Sequence, residues 1–192
     1  REKFANEDFI NSEIIVFGGA EESCKKLSNF YQNYTKCICQ DHIITDGVSA
    51  SLLKYTINSF LALKVVFFNE LKTVFDSLSS NTQWLDFINA LSRDKRIGNS
   101  HMSVPGPDGR YGFGGPCFPK DVSALIKYSN EIGSELSLLK KANTINNNIR
   151  AKSYFQTKSY LLAAYQFENF IKSYPKSDRV QEASFKAAKS YY

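Results

Sequence analysis

The chain of 192 residues has little that would assign it to nucleic acid, a membrane or an oxidising compartment. Its net charge is only +5, and the basic residues are spread out, so we expect neither nucleic acid nor an anionic membrane as a partner. The four cysteines are too scattered for a disulfide framework, which favours a reducing, cytoplasmic location. No signal-peptide pattern is present, and the most apolar run, residues 57–68, is too short to cross a bilayer.

Two further patterns are missing. The sequence has no G-x-G-x-x-G turn of the kind that cradles the phosphates of a dinucleotide. Cys37, Cys39 and His42 lack a matching second pair of metal ligands, so we predict buried strand cysteines and no metal site. The chain starts at Arg1 rather than Met and stops at Tyr192 inside a predicted helix, so we expect it to be a fragment.

The predicted elements are mostly helices. Residues 13–17 and 37–39 read as short strands around a helix at 20–34, which is typical of the tail of an α/β unit. A helix from 48 to about 79 carries too many apolar residues for a single stripe, so we predict that it is buried on several sides and forms a subunit interface. Further helices are predicted at 83–91, 122–131 and 135–149.

The last segment, residues 151–192, has a pattern of its own. The sequence AKSYF at 151–155 recurs as AKSYY at 188–192, around predicted helices at 160–174 and from 178 onward. Helix pairs that repeat at this interval are typical of tetratricopeptide (TPR) repeats. Residues 167–177 resemble the repeats of the TPR lipoprotein of the bacterial outer-membrane β-barrel assembly machinery, which implies a protein partner for this segment.

The richest chemistry lies in the sequence GFGGPCFPKD at residues 112–121. Pro119 favours a helix start, which puts Cys117 just ahead of a helix N-terminus, where N–H groups and the helix dipole favour a thiolate. Lys120 adds positive charge, and the glycines let the backbone approach a ligand closely. The residues alone leave two readings: a nucleophilic cysteine beside a ligand-binding loop, or a buried cysteine under a tight turn. Asp121 also suits the first turn as a complement to the dipole.

Two other places carry polar residues of interest. Lys54 and Asn58 are four residues apart and share a face of the long helix, where a snorkelling lysine beside a solvent-facing amide explains them without any function. The connection at residues 92–118 is long enough to be functional or disordered, and it contains Arg96-Ile97-Gly98. We interpret His101 in this loop as a locally hydrogen-bonded residue rather than a base.

Several segments of the sequence resemble segments of the UDP-glucose/GDP-mannose dehydrogenase family, whose members are NAD-dependent enzymes that oxidise a nucleotide sugar twice. They are GFGGPCFPKD at 112–121, KYTINSFLA at 54–62, RIG at 96–98, and NNNIR at 146–150, which is similar to the end of the family's central domain. The opening REKFANEDF resembles a family segment with two glutamates. Glu2 matches the second, although Lys3 and Phe4 replace the family's glycine and threonine.

The resemblance implies a role for each matching residue in oxidising UDP-glucose to UDP-glucuronate. Cys117 is the nucleophile that forms a thiohemiacetal and then a thioester. Lys54 and Asn58 hold the developing oxyanion. Asp121 orients water or a proton partner, and Glu2 is a candidate base for the hydrolytic water. Arg96 reaches the nucleotide sugar of the partner subunit. The substrate-binding residues are Gly112, Phe113 and Gly114, and Lys120 belongs to the cofactor side.

We therefore predict a mostly α fold with a small α/β portion in three parts. Residues 1–47 are the remnant of a Rossmann-like NAD-binding domain, 48–150 a central helical domain that dimerises through the 48–79 helix, and 151–192 a TPR-like helical hairpin. A composite chain joined near Arg150 is expected, with little or no turnover by itself. GDP-mannose 6-dehydrogenase and a non-catalytic TPR-type interaction module are the alternatives.

Overall fold

The computed structural model describes residues 4–191, and most of them are helical. The chain forms two compact units, Arg1–Ile57 and Asn58–Tyr192. In chain order the elements are α1 (Ala5–Ile10), β1 (Val16–Gly18), α2 (Glu21–Tyr34), β2 (Ile43–Thr45), α3 (Gly47–Asp76), α4 (Trp84–Leu91), α5 (Phe118–Glu131), α6 (Ser137–Gln156), α7 (Tyr160–Ser173) and α8 (Val180–Lys189).

The first unit carries a two-stranded parallel sheet, in which Val16 pairs with Ile43 and Phe17 with Ile44. The helix predicted at 20–34 is confirmed as α2. The strand predicted at 37–39 is wrong, because β2 lies at Ile43–Thr45. The backbone carbonyls of Cys37 and Cys39 accept hydrogen bonds from the side chains of Gln40 and His42, at 3.0 and 3.1 Å. These local bonds occupy groups that a strand ladder would use, while the β-branched residues of β2 suit a sheet.

The long predicted helix is confirmed as α3, which has 30 residues and continues from the first unit into the second. Asp46 caps it, because its Oδ1 accepts hydrogen bonds from the backbone N–H groups of Val48 and Ser49, both at 2.9 Å. Several of its apolar side chains remain exposed in the single chain, among them Phe60, Phe67 and Val74. By length and composition alone α3 could cross a membrane, a test that core helices of soluble proteins also pass. The predicted absence of a membrane partner therefore stays a prediction.

The second unit has two hydrophobic clusters that bear on the loop at 92–117. In one, Ala62 and Val66 of α3 pack with Val122 of α5 and Ala142 of α6, together with Phe113 of the loop. The other joins α3 and α4 to Met102 and Val104 of the same loop. The long connection is therefore anchored on both sides by buried apolar side chains.

Helix α6 continues past the predicted end at Ile149 and runs to Gln156. No glycine or proline occurs between Gly133 and Pro175 to stop it earlier. Two residues beyond its end, Lys158 has a φ of 57°, the left-handed conformation common just after a helix. Helices α7 and α8 pack on its last turns through Ala151, Phe167 and Ala183. Both predicted C-terminal helices are present, but α8 ends at Lys189, so the prediction that the chain stops inside this helix is wrong. The TPR assignment and the predicted domain boundaries stay predictions.

Candidate active site

Cys117 lies at the start of α5, where the sequence predicted it. It occupies the N-cap position, and Pro119 is in the first turn of the helix. The carbonyl oxygen of Cys117 accepts the backbone N–H of Asp121 at 2.9 Å, which is the first bond of the helix. The cysteine is exposed, so the alternative of a buried cysteine under a tight turn does not hold.

Asp121, one helical turn later, is fully buried. Its Oδ2 accepts a hydrogen bond of 2.5 Å from Nδ2 of Asn58 on α3, and its Oδ1 forms an ion pair with Nζ of Lys120. A buried carboxylate needs such partners because removing it from water is costly. The structure thus brings three predicted site residues together beside Cys117. The amide nitrogen of Asn58 carries a second N–H that this bond does not use.

The other predicted catalytic residues lie outside this group. Lys54 is an exposed residue of the first unit, one turn before Asn58 in α3, with its Nζ 5.9 Å from the centre of the Tyr55 ring. Glu2 lies outside the described residues.

Arg96 is exposed and its guanidinium is bonded to the carboxylate of Asp94, with Nε–Oδ1 at 3.0 Å and Nη2–Oδ2 at 2.6 Å. The hydrogen bond with Asp94 raises the pKa of Arg96. The turn that carries Arg96 is tied to α3 by Lys64, whose Nζ donates to the carbonyl oxygen of Ile97 at 2.9 Å. Partial burial lowers the pKa of Lys64.

A cavity of about 580 Å³ lies against the glycine loop. Its walls include the predicted substrate-binding residues Gly112, Phe113 and Gly114, together with His101 and Asp108. Burial and the nearby Lys64 ammonium lower the pKa of His101, which favours the neutral imidazole. The Phe113 ring is buried in the core, and its packing there supports this wall of the cavity.

No sequence pattern predicted the side chains that hold this loop. Asn69 of α3 accepts the backbone N–H of Gly112 at 2.9 Å. Asn146 of α6 bonds both backbone groups of Phe113, and Ser153 accepts the N–H of Tyr111 at 3.1 Å. Arg150 reaches Asp108 with an N–O distance of 2.8 Å. The available signal was a polar residue on the apolar face of a predicted helix. Such a residue is buried and needs a hydrogen-bond partner from another segment.

This part of the chain matches a known family of proteins. Residues 48–148 match the model of the UDP-glucose/GDP-mannose dehydrogenase family, central domain. The chain belongs to this family. The resemblance found in the sequence is thereby confirmed, whereas the match does not extend to the TPR-like segment.

Individual relatives agree with the family match. The chain is 32% identical over 152 residues to UDP-glucose 6-dehydrogenase YwqF of Bacillus subtilis, covering 79% of this chain and 32% of the relative. It is 39% identical over 139 residues to the UDP-glucose 6-dehydrogenase of Rickettsia bellii, covering 71% of this chain and 30% of the relative. A solved UDP-glucose dehydrogenase from Pyrobaculum islandicum has a TM-score of 0.62 and 29% identity, covering 81% of this chain and 32% of the other. The chain therefore spans about a third of the length of these relatives.

Proposed function

We propose that this chain is the catalytic-cysteine part of an NAD-dependent nucleotide-sugar 6-dehydrogenase that oxidises UDP-glucose to UDP-glucuronate in the cytoplasm. The observation that carries the proposal is the exposed Cys117 at the N-terminus of α5, one turn from a buried Asp121 that is bonded to Asn58. A nucleophilic cysteine needs access to substrate together with a positive environment, and a helix N-terminus supplies the latter. The relatives named UDP-glucose 6-dehydrogenase support the choice of substrate.

NAD is the hydride acceptor that such a reaction requires, but the residues of this chain do not fit it. The sequence lacks a G-x-G-x-x-G turn, and β1 and β2 form only a two-stranded sheet in the described part of the chain. We therefore assign no step to the cofactor here, and we expect little or no turnover from the chain by itself. Lys120, whose place on the cofactor side follows from the resemblance alone, is given no role in binding NAD here, and the composite junction near Arg150 stays part of this proposal.

The chemistry that we assign to this chain is that of the sulfur. The Cys117 thiolate attacks the C6 carbon of the aldehyde form of the sugar, a C–S bond forms, and the carbonyl oxygen becomes an oxyanion that takes up a proton to give a thiohemiacetal. A bound hydride acceptor would supply the oxidation that turns this adduct into a thioester. In the hydrolysis of such a thioester, water attacks the carbonyl carbon, the C–S bond breaks, and the carboxylate and the thiol are released. Glu2 is our candidate base for that water.

The side chains around Cys117 have distinct roles in this proposal. The amide of Asn58 and the ammonium of Lys54 stabilise the oxyanion with N–H donors. Asp121 is fully buried and bonded to Asn58, so we assign it the orientation of that amide and of the proton transfer nearby. Arg96 binds the nucleotide sugar of the partner subunit, and the 112–114 loop forms the sugar pocket.

The 6-aldehyde of UDP-glucose tests the proposal without a cofactor. We expect this aldehyde to protect Cys117 from alkylation by iodoacetamide, because a thiohemiacetal blocks the sulfur. Peptide mass spectrometry separates Cys117 from Cys39, which serves as the control thiol in the same sample. Equal alkylation of Cys117 with and without the aldehyde would refute the role as nucleophile. Stronger protection by the 6-aldehyde of GDP-mannose would favour the GDP-mannose 6-dehydrogenase alternative.

A homodimer through α3 is part of the proposal. Phe60, Phe67 and Val74 are seven residues apart, so they lie along one side of the helix, and each is more than half exposed in the single chain (65%, 59% and 58%). An apolar row of this kind favours a helix interface between two copies. We expect Phe67→Glu to shift the chain toward a monomer in light scattering, whereas Leu78→Glu, an exposed residue beyond the end of α3, should not. An unchanged mass for Phe67→Glu would contradict this interface.

A non-catalytic interaction module is the second candidate function. Leu161 and Tyr165 on α7 and Phe185 on α8 are exposed apolar side chains of the TPR-like segment, which favours a protein partner there. The rate of Cys117 alkylation separates the two candidates. A rate well above that of Cys39 near neutral pH favours an active-site cysteine, and an equally slow rate favours a scaffold.

A further inference from the structure

One face of α6 carries three buried polar residues. Asn146, Arg150 and Ser153 are spaced i, i+4 and i+7, so they form a row along the helix. Their exposed fractions are 2%, 8% and 2%, respectively. Polar side chains buried to this extent need hydrogen-bond partners. Here the partners come from the loop at residues 108–114 and from Tyr154.

The row bonds the loop backbone directly. Oδ1 of Asn146 accepts the N–H of Phe113 at 2.7 Å, and its Nδ2 donates to the carbonyl oxygen of Phe113 at 3.0 Å. Oγ of Ser153 accepts the N–H of Tyr111 at 3.1 Å. Asn69 of α3 completes the set by accepting the N–H of Gly112. Three consecutive backbone N–H groups of the loop are thus bonded by side chains rather than by other backbone groups.

Arg150 limits where the loop can lie. A Cβ added at Gly114 would lie 2.6 Å from a guanidinium nitrogen of Arg150. The guanidinium cannot retreat freely, because it donates to Asp108 at 2.8 Å and to the Tyr154 hydroxyl at 3.1 Å. A side chain at position 114 would therefore have to displace the guanidinium and its hydrogen bonds, because the loop lies directly against the helix.

We propose that Asn146, Arg150 and Ser153 are positioning residues that hold the 111–114 loop and thereby set the place of Cys117, three residues further along the chain. The link to Cys117 rests on the proposed function, whereas the holding of the loop does not. Two members of this arrangement, Ser153 and Tyr154, lie after the predicted junction at Arg150. The C-terminal segment is accordingly part of the support of the site.

The chain offers a matched pair of variants for the test. Asn146→Ala removes both hydrogen bonds to Phe113. Asn148→Ala removes the same side chain from the same helix at the same exposed fraction of 2%, but among the described residues Oδ1 of Asn148 has no hydrogen-bond partner. Hydrogen–deuterium exchange of the peptide over residues 111–116 reports on the loop, and the rate of Cys117 alkylation reports on the thiol. Circular dichroism checks that each variant folds.

We expect Asn146→Ala to speed exchange of the Phe113 amide by about ten-fold, the factor expected from losing one hydrogen bond, and to change the Cys117 rate. Asn148→Ala should alter neither. Unchanged loop exchange in a folded Asn146→Ala chain, or equal acceleration in both variants, would overturn the proposal. Should Asn146→Ala not fold, Ser153→Ala removes only the bond to Tyr111 and decides the same question at that amide.

The two readouts keep the proposals apart. Faster loop exchange with an unchanged Cys117 rate would overturn the positioning of the cysteine while the loop contacts stand. If Cys117 of the unsubstituted chain is alkylated no faster than Cys39, the proposed nucleophile is refuted. Faster loop exchange in Asn146→Ala would then still support the loop contacts.

Discussion

Replacing Gly112 by alanine tests the geometry of the loop directly. Gly112 has a φ of +77°, and a Cβ there would lie 2.6 Å from Oδ1 of Asn146 and 3.2 Å from atoms of Ile149 and Arg150. Gly133, between α5 and α6, is the matched control. Its φ is +72°, nearly the same, but apart from its chain neighbours no atom of residues 4–191 lies within 4 Å of the Cβ that alanine would add.

The two substitutions share one cost and differ in another. A left-handed backbone costs a residue with a Cβ about 1–2 kcal/mol, and both variants lose this much. Only Gly112→Ala also meets buried atoms, and forcing an extra carbon into a packed site costs about 1–3 kcal/mol more. We therefore expect Gly112→Ala to lower the free energy of unfolding by about 2–5 kcal/mol and Gly133→Ala by about 1–2 kcal/mol.

Thermal unfolding followed by circular dichroism measures both variants. For a chain of this size, 1 kcal/mol corresponds to a shift of about 2–4 °C in Tm, so Gly112→Ala should melt clearly below Gly133→Ala. Asn146 is the closest obstacle, so Asn146→Ala in the Gly112→Ala background should recover part of the steric loss. Equal losses for Gly112→Ala and Gly133→Ala would refute the close approach of the loop to α6.

Two further predictions concern charged side chains. Asn58→Ala takes a partner from the buried Asp121 and should cost about 1–3 kcal/mol in urea unfolding. A cycle with Asp121→Ala should show coupling of at least about 0.5 kcal/mol, and strictly additive losses would contradict the contact. Hydrogen bonds from Lys186 and Lys152 lower the pKa of Glu182 to about 2 from 4.5. The stability that this carboxylate contributes is therefore present above about pH 4.5 and is lost as the pH falls toward 2. Glu182→Gln should flatten that part of the curve of Tm against pH, by a small amount because the group is partly exposed, and an unchanged slope would count against the pairing.

The helices could be predicted closely from the sequence because their signals are local. The apolar spacing of α4, the proline at the start of α5 and the absence of breakers in α3 each act within a few residues. The second strand could not, because Cys37, Ile38 and Cys39 have a strand-like composition. In the folded chain the side chains of Gln40 and His42 bond the backbone carbonyls of Cys37 and Cys39, and the composition of the segment does not reveal these bonds.

The sequence by itself determined the family, the helical spacing and the place of Cys117 at a helix start, since all of these follow from residues adjacent in the chain. Only the tertiary structure decided which side chains meet that loop. Asn69 and Asn146 are 43 and 33 residues from the backbone groups that they bond, and Asn58 is 63 residues from Asp121. Contacts over such separations depend on how α3, α5 and α6 pack, and no local pattern encodes that packing.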